Sequence, residues 1–217
     1  MNEEIKERIL NWILNEEYVV CPGDYKKIKY FDVMPEEYLQ FAKLDIDSKD
    51  KKSKINAISN VKRAIDCQVD VLLKICGYYK KSKKENWNFP RKNDFLKELG
   101  IISPNILKKV NVIRNKIEHE FKEPDQEEIG DAIDLAELFL SATDKFRRNI
   151  DCFFFDLSVN DIYKKGEIPH WEIDLEYNTE HRRFCLECGD KVLFSINEDN
   201  PIFTKLLKKY LYFLKSY

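Results

Sequence analysis

Residues 54–79 read KINAISNVKRAIDCQVDVLLKICGYY, and within them Ile55, Ile58, Val61, Ile65, Val69, Leu72 and Leu73 recur at steps of three and four. That is the period of one face of an α-helix, not the alternation of a strand. It is the longest periodic stretch in the chain and predicts a long helix that stops near Gly77, where glycine accepts the left-handed conformation that closes helices.

Upstream, Ile5, Ile9, Trp12 and Ile13 predict an amphipathic helix over 3–15, before the break at Cys21-Pro22-Gly23-Asp24. Pro35 starts a short helix, and Asp45 to Lys54 reads as a linker. Downstream, KKSKKENWNFPRK, residues 80–92, reads as a basic loop with aromatics, and Pro90 opens a short helix ending at Gly100. Ser103-Pro104 is a strong start signal, since Ser caps free N–H groups and Pro is tolerated at the first helical position. The helix it starts runs to about Lys122.

Pro124 breaks the pattern, and Asp125, Glu127 and Glu128 put acids at the positive end of another helix. Its apolar positions Ile129, Ile133, Ala136, Leu138, Phe139 and Leu140 lead to about Phe146. After Asp151 the period shortens. CFFFDLSV, HWEIDLEY, RRFCLECG and KVLFSI are aromatic or β-branched segments separated by turn residues. Asn200-Pro201 then caps a last helix bearing Ile202, Phe203, Leu206, Leu207, Tyr210, Phe213 and Leu214.

The fold class expected is α+β, mainly α. An antiparallel helical domain occupies 1–150, with an N-terminal extension over 1–53 and a core over 54–147. A small antiparallel β-sheet closed by a C-terminal helix occupies 151–217.

The 217 residues are 43% hydrophobic and 35% charged, a globular composition rather than a disordered one. No stretch approaches the roughly 20 apolar residues that span a bilayer, and MNEEIKERIL is charged and amphipathic, unlike a signal peptide. A soluble cytoplasmic protein with no membrane partner is expected. The cysteines Cys21, Cys67, Cys76, Cys152, Cys185 and Cys188 lack disulfide-framework spacing, which suits a reducing compartment.

The formal net charge of −2 argues against a nucleic-acid partner until it is partitioned. Residues 46–116 carry 18 basic and 7 acidic side chains, whereas 117–151 carry 4 basic and 11 acidic. A basic field of that kind attracts phosphates. Charge blocks are, more often, solvated faces that mix in space.

The sign changes inside VNVIRNKIEHEF, residues 110–121. Stepping about 100° per residue, Ile106, Val110, Ile113, Ile117 and Phe121 share an arc of roughly 80°, the core-facing stripe. Arg114, Glu118, Asn111, Asn115 and His119 follow at about 100°, 140°, 160°, 200° and 240° on the same wheel. Arg114 and His119 therefore flank one polar face.

RNA carries its own nucleophile, the 2′-hydroxyl, so its cleavage needs no metal or cofactor if protons are moved and the phosphorane is stabilised. A histidine near neutral pH does the first. An arginine, always charged and able to grip two phosphate oxygens, does the second. Asn115, one turn before His119, would orient its imidazole or hold substrate. Glu118 either does likewise or pairs with Arg114.

Arg114-Asn115-Lys116-Ile117-Glu118-His119 resembles the Arg-x4-His signature of the HEPN superfamily, over roughly residues 54–147. The resemblance implies an all-helical bundle and a metal-independent endoribonuclease with Arg114 and His119 catalytic. It also implies a homodimer that assembles its site from two motif helices, a place among toxins or antiviral defence nucleases, and an antitoxin or other regulatory protein as partner. One branch carries a modified Tyr two residues after the His; Phe121 stands there in this chain, which speaks against that form of regulation. The competing reading is a non-catalytic HEPN-like module that binds RNA or a protein.

Two other groups carry chemistry. Lys80, Lys81, Lys83, Lys84, Arg91 and Lys92 surround Trp87 and Phe89, a mixture suited to phosphate contacts with base stacking, or else to a solvated loop with two apolar anchors. Cys185-Leu-Glu-Cys188 preceded by His181 resembles half of a zinc knuckle, with His170 as a further ligand. A second Cys pair is absent, and a β-hairpin with buried thiols is the reading preferred.

Overall fold

The computed structural model describes residues 3–15, 19–22, 29–48, 50–102, 109, 112, 123–150, 153–156, 173–178, 181–188 and 191–215. The described chain is mainly helical, with a small antiparallel sheet and a C-terminal helix. It forms two compact units, one from residues 28–74 and 78–147, the other from 1–27, 75–77 and 148–217.

The first unit is helical. It holds α2 (Pro35–Ile46), nearly all of α3 (Lys51–Ile75), α4 (Tyr79–Lys84), α5 (Phe89–Glu98) and most of α6 (Gln126–Asn149), while α1 (Glu3–Asn15) belongs to the other unit. α3 begins earlier than its apolar stripe, because Asp50 accepts from the backbone N–H groups of Lys52 and Ser53 and from the Ser53 hydroxyl. The linker expected over Asp45–Lys54 therefore shrinks to a few residues between α2 and α3. The stripe itself buries Val61, Ile65, Val69, Leu72 and Leu73, joined by Ala57 and Ala64, while Ile55 at the first turn is 44% exposed.

Three helices of the chain end alike. Gly77 has φ +82, and the Tyr78 N–H donates to the Leu73 carbonyl at 2.9 Å, the six-to-one bond of a Schellman stop. Gly100 (φ +71) and the Ile101-to-Leu96 bond close α5 in the same way. Asn86 (φ +50) and the Trp87-to-Ser82 bond close α4, asparagine being one of the few side chains that tolerate this conformation. The loop expected over 80–92 is thus corrected: its lysines form a helical turn and its break is confined to Glu85–Asn88.

α6 starts from a reciprocal box: the Glu128 N–H donates to Asp125 Oδ1 at 2.8 Å and the Asp125 N–H to Glu128 Oε2 at 3.2 Å. It buries Ile129, Ile133, Ala136, Phe139 and Leu140, whereas Leu138 falls off that face and is 56% exposed. Arg147 at its far end reaches both Asp144 and Glu36, and Lys43 of α2 meets Glu137, so two ion pairs clip α2 along α6.

The second unit carries a five-stranded antiparallel sheet in the order β1-β2-β3-β4-β5, from β1 (Val19–Pro22), β2 (Phe153–Asp156), β3 (Ile173–Asn178), β4 (Arg183–Cys188) and β5 (Lys191–Ile196). β1 was not expected, and it pairs Val19 with Asp156 and Pro22 with Phe153, so residues 1–27 group with the C-terminal region instead of extending the helical core. α7 (Phe203–Leu214) buries Phe203, Leu206, Leu207, Tyr210 and Leu214 on the stripe the sequence marks. Tyr177, Phe184, Phe203 and Tyr210 pack ring against ring at centroid distances of 4.9 to 6.3 Å. The two buried phenols are satisfied, Tyr177 by the Ile75 carbonyl and Tyr210 by the Ile150 carbonyl.

Candidate nucleic-acid interface

The six cations expected to meet phosphate all lie on α4, the turn after it and the first turn of α5. Pro90 occupies the first turn of α5, and Asn88 caps it by accepting from the Arg91 N–H at 3.0 Å. The turn is held in place by apolar anchors: Phe89 is buried, and Phe95 of α5 packs on Tyr78 at 4.4 Å and in a T-shaped pair with Trp87 at 5.3 Å.

Half of the cations are already answered by acids. Lys83 and Lys92 converge on one carboxylate, Asp70 of α3, at 3.3 and 2.6 Å. Partial burial pulls the Lys83 ammonium down, but Asp70, followed by Tyr79, outweighs it and holds the group above its ordinary value. Arg91 meets Glu85 at 2.6 Å, and the same Glu85 oxygen accepts from the Trp87 indole at 2.8 Å. The Trp87 donor first, and against some desolvation the Arg91 charge, keep Glu85 below the usual carboxylate range.

Trp87, half-exposed, is therefore partly engaged. The Arg91 guanidinium lies 4.6 Å over its ring, a cation–π contact that takes one face, while Phe95 meets it in a T-shaped pair at 5.3 Å. Lys80, Lys81 and Lys84 are different: all three are exposed and none forms an ion pair among the described residues. Asp70 and Glu85 are the functional neighbours that the sequence reading missed. Glu85 sits inside the quoted segment and could have been found there; Asp70, from another helix, carries no local signal.

Arg114, Asn115, Glu118 and His119 lie outside the described residues. What is described is the chain on either side. α5, from which the chain enters residue 103, is tied to the C-terminal half of α3 by Lys92 and Asp70, and Ile101 and Ile102 beyond it are buried. On the other side, Glu123 meets Lys54 at 3.1 Å, at the N-terminal end of α3.

Cys185 is buried in β4, and burial, ahead of the neighbouring charges, raises its thiol above the ordinary value. His181 is exposed, its N–H donating to Asn178 Oδ1. The Cys188 side chain and His170 lie outside the described residues. Among the described residues no group of three or more His, Cys, Asp and Glu is placed to hold a metal ion, and no helix is long and apolar enough to cross a membrane.

No family model, no curated protein and no solved structure matches the chain.

Proposed function

We propose that the protein is a metal-independent endoribonuclease of the HEPN type, with Arg114 and His119 as its catalytic pair. The observation that carries this reading is the Arg-x4-His pair on the polar face of the helix expected over 103–122. The described helices support it: the long helices α3 and α6 lie in the same unit, run in the same direction from Lys54–Glu123 to Gln68–Thr143, and bracket the motif segment in sequence.

In the reaction, His119 takes the proton of the 2′-hydroxyl as the oxygen attacks the adjacent phosphorus. Arg114 donates to the non-bridging oxygens of the five-coordinate intermediate, whose charge it offsets. The 5′-oxygen leaves with a proton from the His119 of a second copy, yielding a 2′,3′-cyclic phosphate and a 5′-hydroxyl. A homodimer supplies the acid and the base together. The described cysteines Cys67, Cys76 and Cys185 are free thiols, which suits a reducing cytoplasm, and a defence or toxin role follows from the same resemblance.

The reading is tested by expression in a bacterial host. The wild-type chain should slow growth and produce RNA fragments with cyclic phosphate ends, and Arg114→Ala or His119→Ala at equal protein level should do neither. Equal growth arrest by the two variants would remove both residues from the site.

A further inference from the structure

We infer that the α4–α5 hairpin is a phosphate-backbone rail that holds single-stranded RNA without reading its bases. That the polymer is RNA rests on the proposed ribonuclease activity; the rail itself rests on how the charges of the hairpin are arranged.

Two sets of groups separate cleanly. Lys83, Arg91 and Lys92 are engaged by Asp70 and Glu85 and shape the hairpin. Lys80, Lys81 and Lys84 lie on the exposed side of a single six-residue helix and form no ion pair among the described residues, the Lys81 charge acting on Glu85 only at longer range. Residues 79–98 carry seven basic and three acidic side chains, and with Asp70 of α3 counted the hairpin keeps an excess of three positive charges. Lysine ammonium groups are compact point charges that suit phosphate oxygens without fixing a base.

Base stacking needs an open aromatic face, and the two half-exposed rings of the hairpin, Trp87 and Tyr79, are engaged by the chain itself. Arg91 lies over one face of Trp87 at 4.6 Å and the indole N–H is spent on Glu85, Tyr79 meets Phe31 at 5.6 Å and the Lys83 ammonium at 5.1 Å, and Phe89 is buried. The same facts disfavour a lipid surface, because membrane-binding basic segments also insert apolar side chains, and among the described residues the large exposed hydrophobic ones lie elsewhere, at Phe41, Leu44, Ile55, Val112, Leu138, Val192 and Tyr212.

The test is fluorescence anisotropy with labelled twenty-nucleotide oligomers of uridine, adenosine and mixed sequence, a DNA oligomer of the same length, and the full chain carrying His119→Ala so that no RNA is consumed. The three RNAs and the DNA should bind within about threefold of one another, since phosphates alone are met. Replacing Lys80, Lys81 and Lys84 together by Ala should weaken binding at least tenfold at low salt and reduce the salt slope by about 2, at about 0.7 per phosphate. Replacing the same three by Arg should restore binding, and Lys191→Ala with Lys205→Ala should leave it unchanged. Unaltered affinity in the folded triple-Ala variant would overturn the rail, as would strong preference for one base or tighter binding to anionic phosphatidylserine vesicles than to RNA. A chain that binds through these lysines and never cleaves keeps the rail and loses the nuclease; one that cleaves with the triple-Ala affinity unchanged does the reverse.

Discussion

Gln68 and Thr143 are joined side chain to side chain inside the helical unit, the Gln68 amide donating to Thr143 Oγ1 at 2.6 Å. Both are buried, and the threonine hydroxyl in turn donates to the Phe139 carbonyl at 2.8 Å, with the Leu140 carbonyl at 3.2 Å. The bond is thus the polar register mark between α3 and α6. A Thr143→Val variant leaves a buried amide without an acceptor and should lose about 1–3 kcal/mol in urea unfolding. Adding Gln68→Leu should return most of that loss. A double variant that loses the sum of the two single effects would show that the residues do not act as a pair.

Two glycines should respond oppositely to alanine. Gly77 combines φ +82 with a close surround, since a Cβ there would sit 3.4 Å from Arg182 Cβ and 3.5 Å from the Phe203 ring. Gly77→Ala should cost at least about 1 kcal/mol, as a left-handed non-glycine residue does. Gly130 lies within α6 with nothing within 4 Å of the added atom, so Gly130→Ala should gain about 0.5–1 kcal/mol from helix propensity. Thermal melts of the two variants beside the wild type check both signs.

The reciprocal Asp125–Glu128 box fixes where α6 begins, immediately after the motif segment. Asp125→Ala should lower stability by about 1 kcal/mol. Asp125→Asn keeps an acceptor for the Glu128 N–H and should lose less. Equal losses would mean that the helix start is set by packing alone.

Burial holds the Cys76 thiol well above its ordinary value of 9.0, and burial, then Asp70 and Glu36, push Cys67 up to about 12. A raised acid stays protonated in the folded chain while the unfolded chain ionises. Stability from this source is therefore complete below about pH 9 and declines as pH rises, for fully buried Cys76 by up to about 1.4 kcal/mol per pH unit. Urea unfolding at pH 7, 8.5 and 9.5 should show the decline, and Cys76→Ala should lower stability at pH 7 while flattening it. An unchanged slope in that variant would assign the decline to other groups.

The long helix was legible because its apolar residues keep one period for five turns, and Gly77 and Asp125 announce their own conformations. β1 was not: Val19–Pro22 is too short for alternation to register, and its partner Phe153–Asp156 lies more than 130 residues on. α4 was hidden for a different reason. Its lysines are good helix formers but supply no apolar period, and the stop comes from Asn86, a residue more often read as a turn. At the interface, the positions of the cations could be read from the sequence. Which of them remain uncompensated could not, because Asp70 arrives from α3 by tertiary packing, and because Arg91, rather than a base, covers Trp87. The polar face bearing Arg114 and His119 remains a reading of the sequence wheel, and its test is chemical.

The most direct measurement is cleavage of a labelled RNA by the purified chain in excess EDTA, beside a His119→Ala variant with the same circular dichroism. Expected are fragments ending in 2′,3′-cyclic phosphate from the wild type and intact RNA from the variant; RNA left whole by the wild type, or cut equally by both, would contradict the assignment of a metal-independent ribonuclease built on His119.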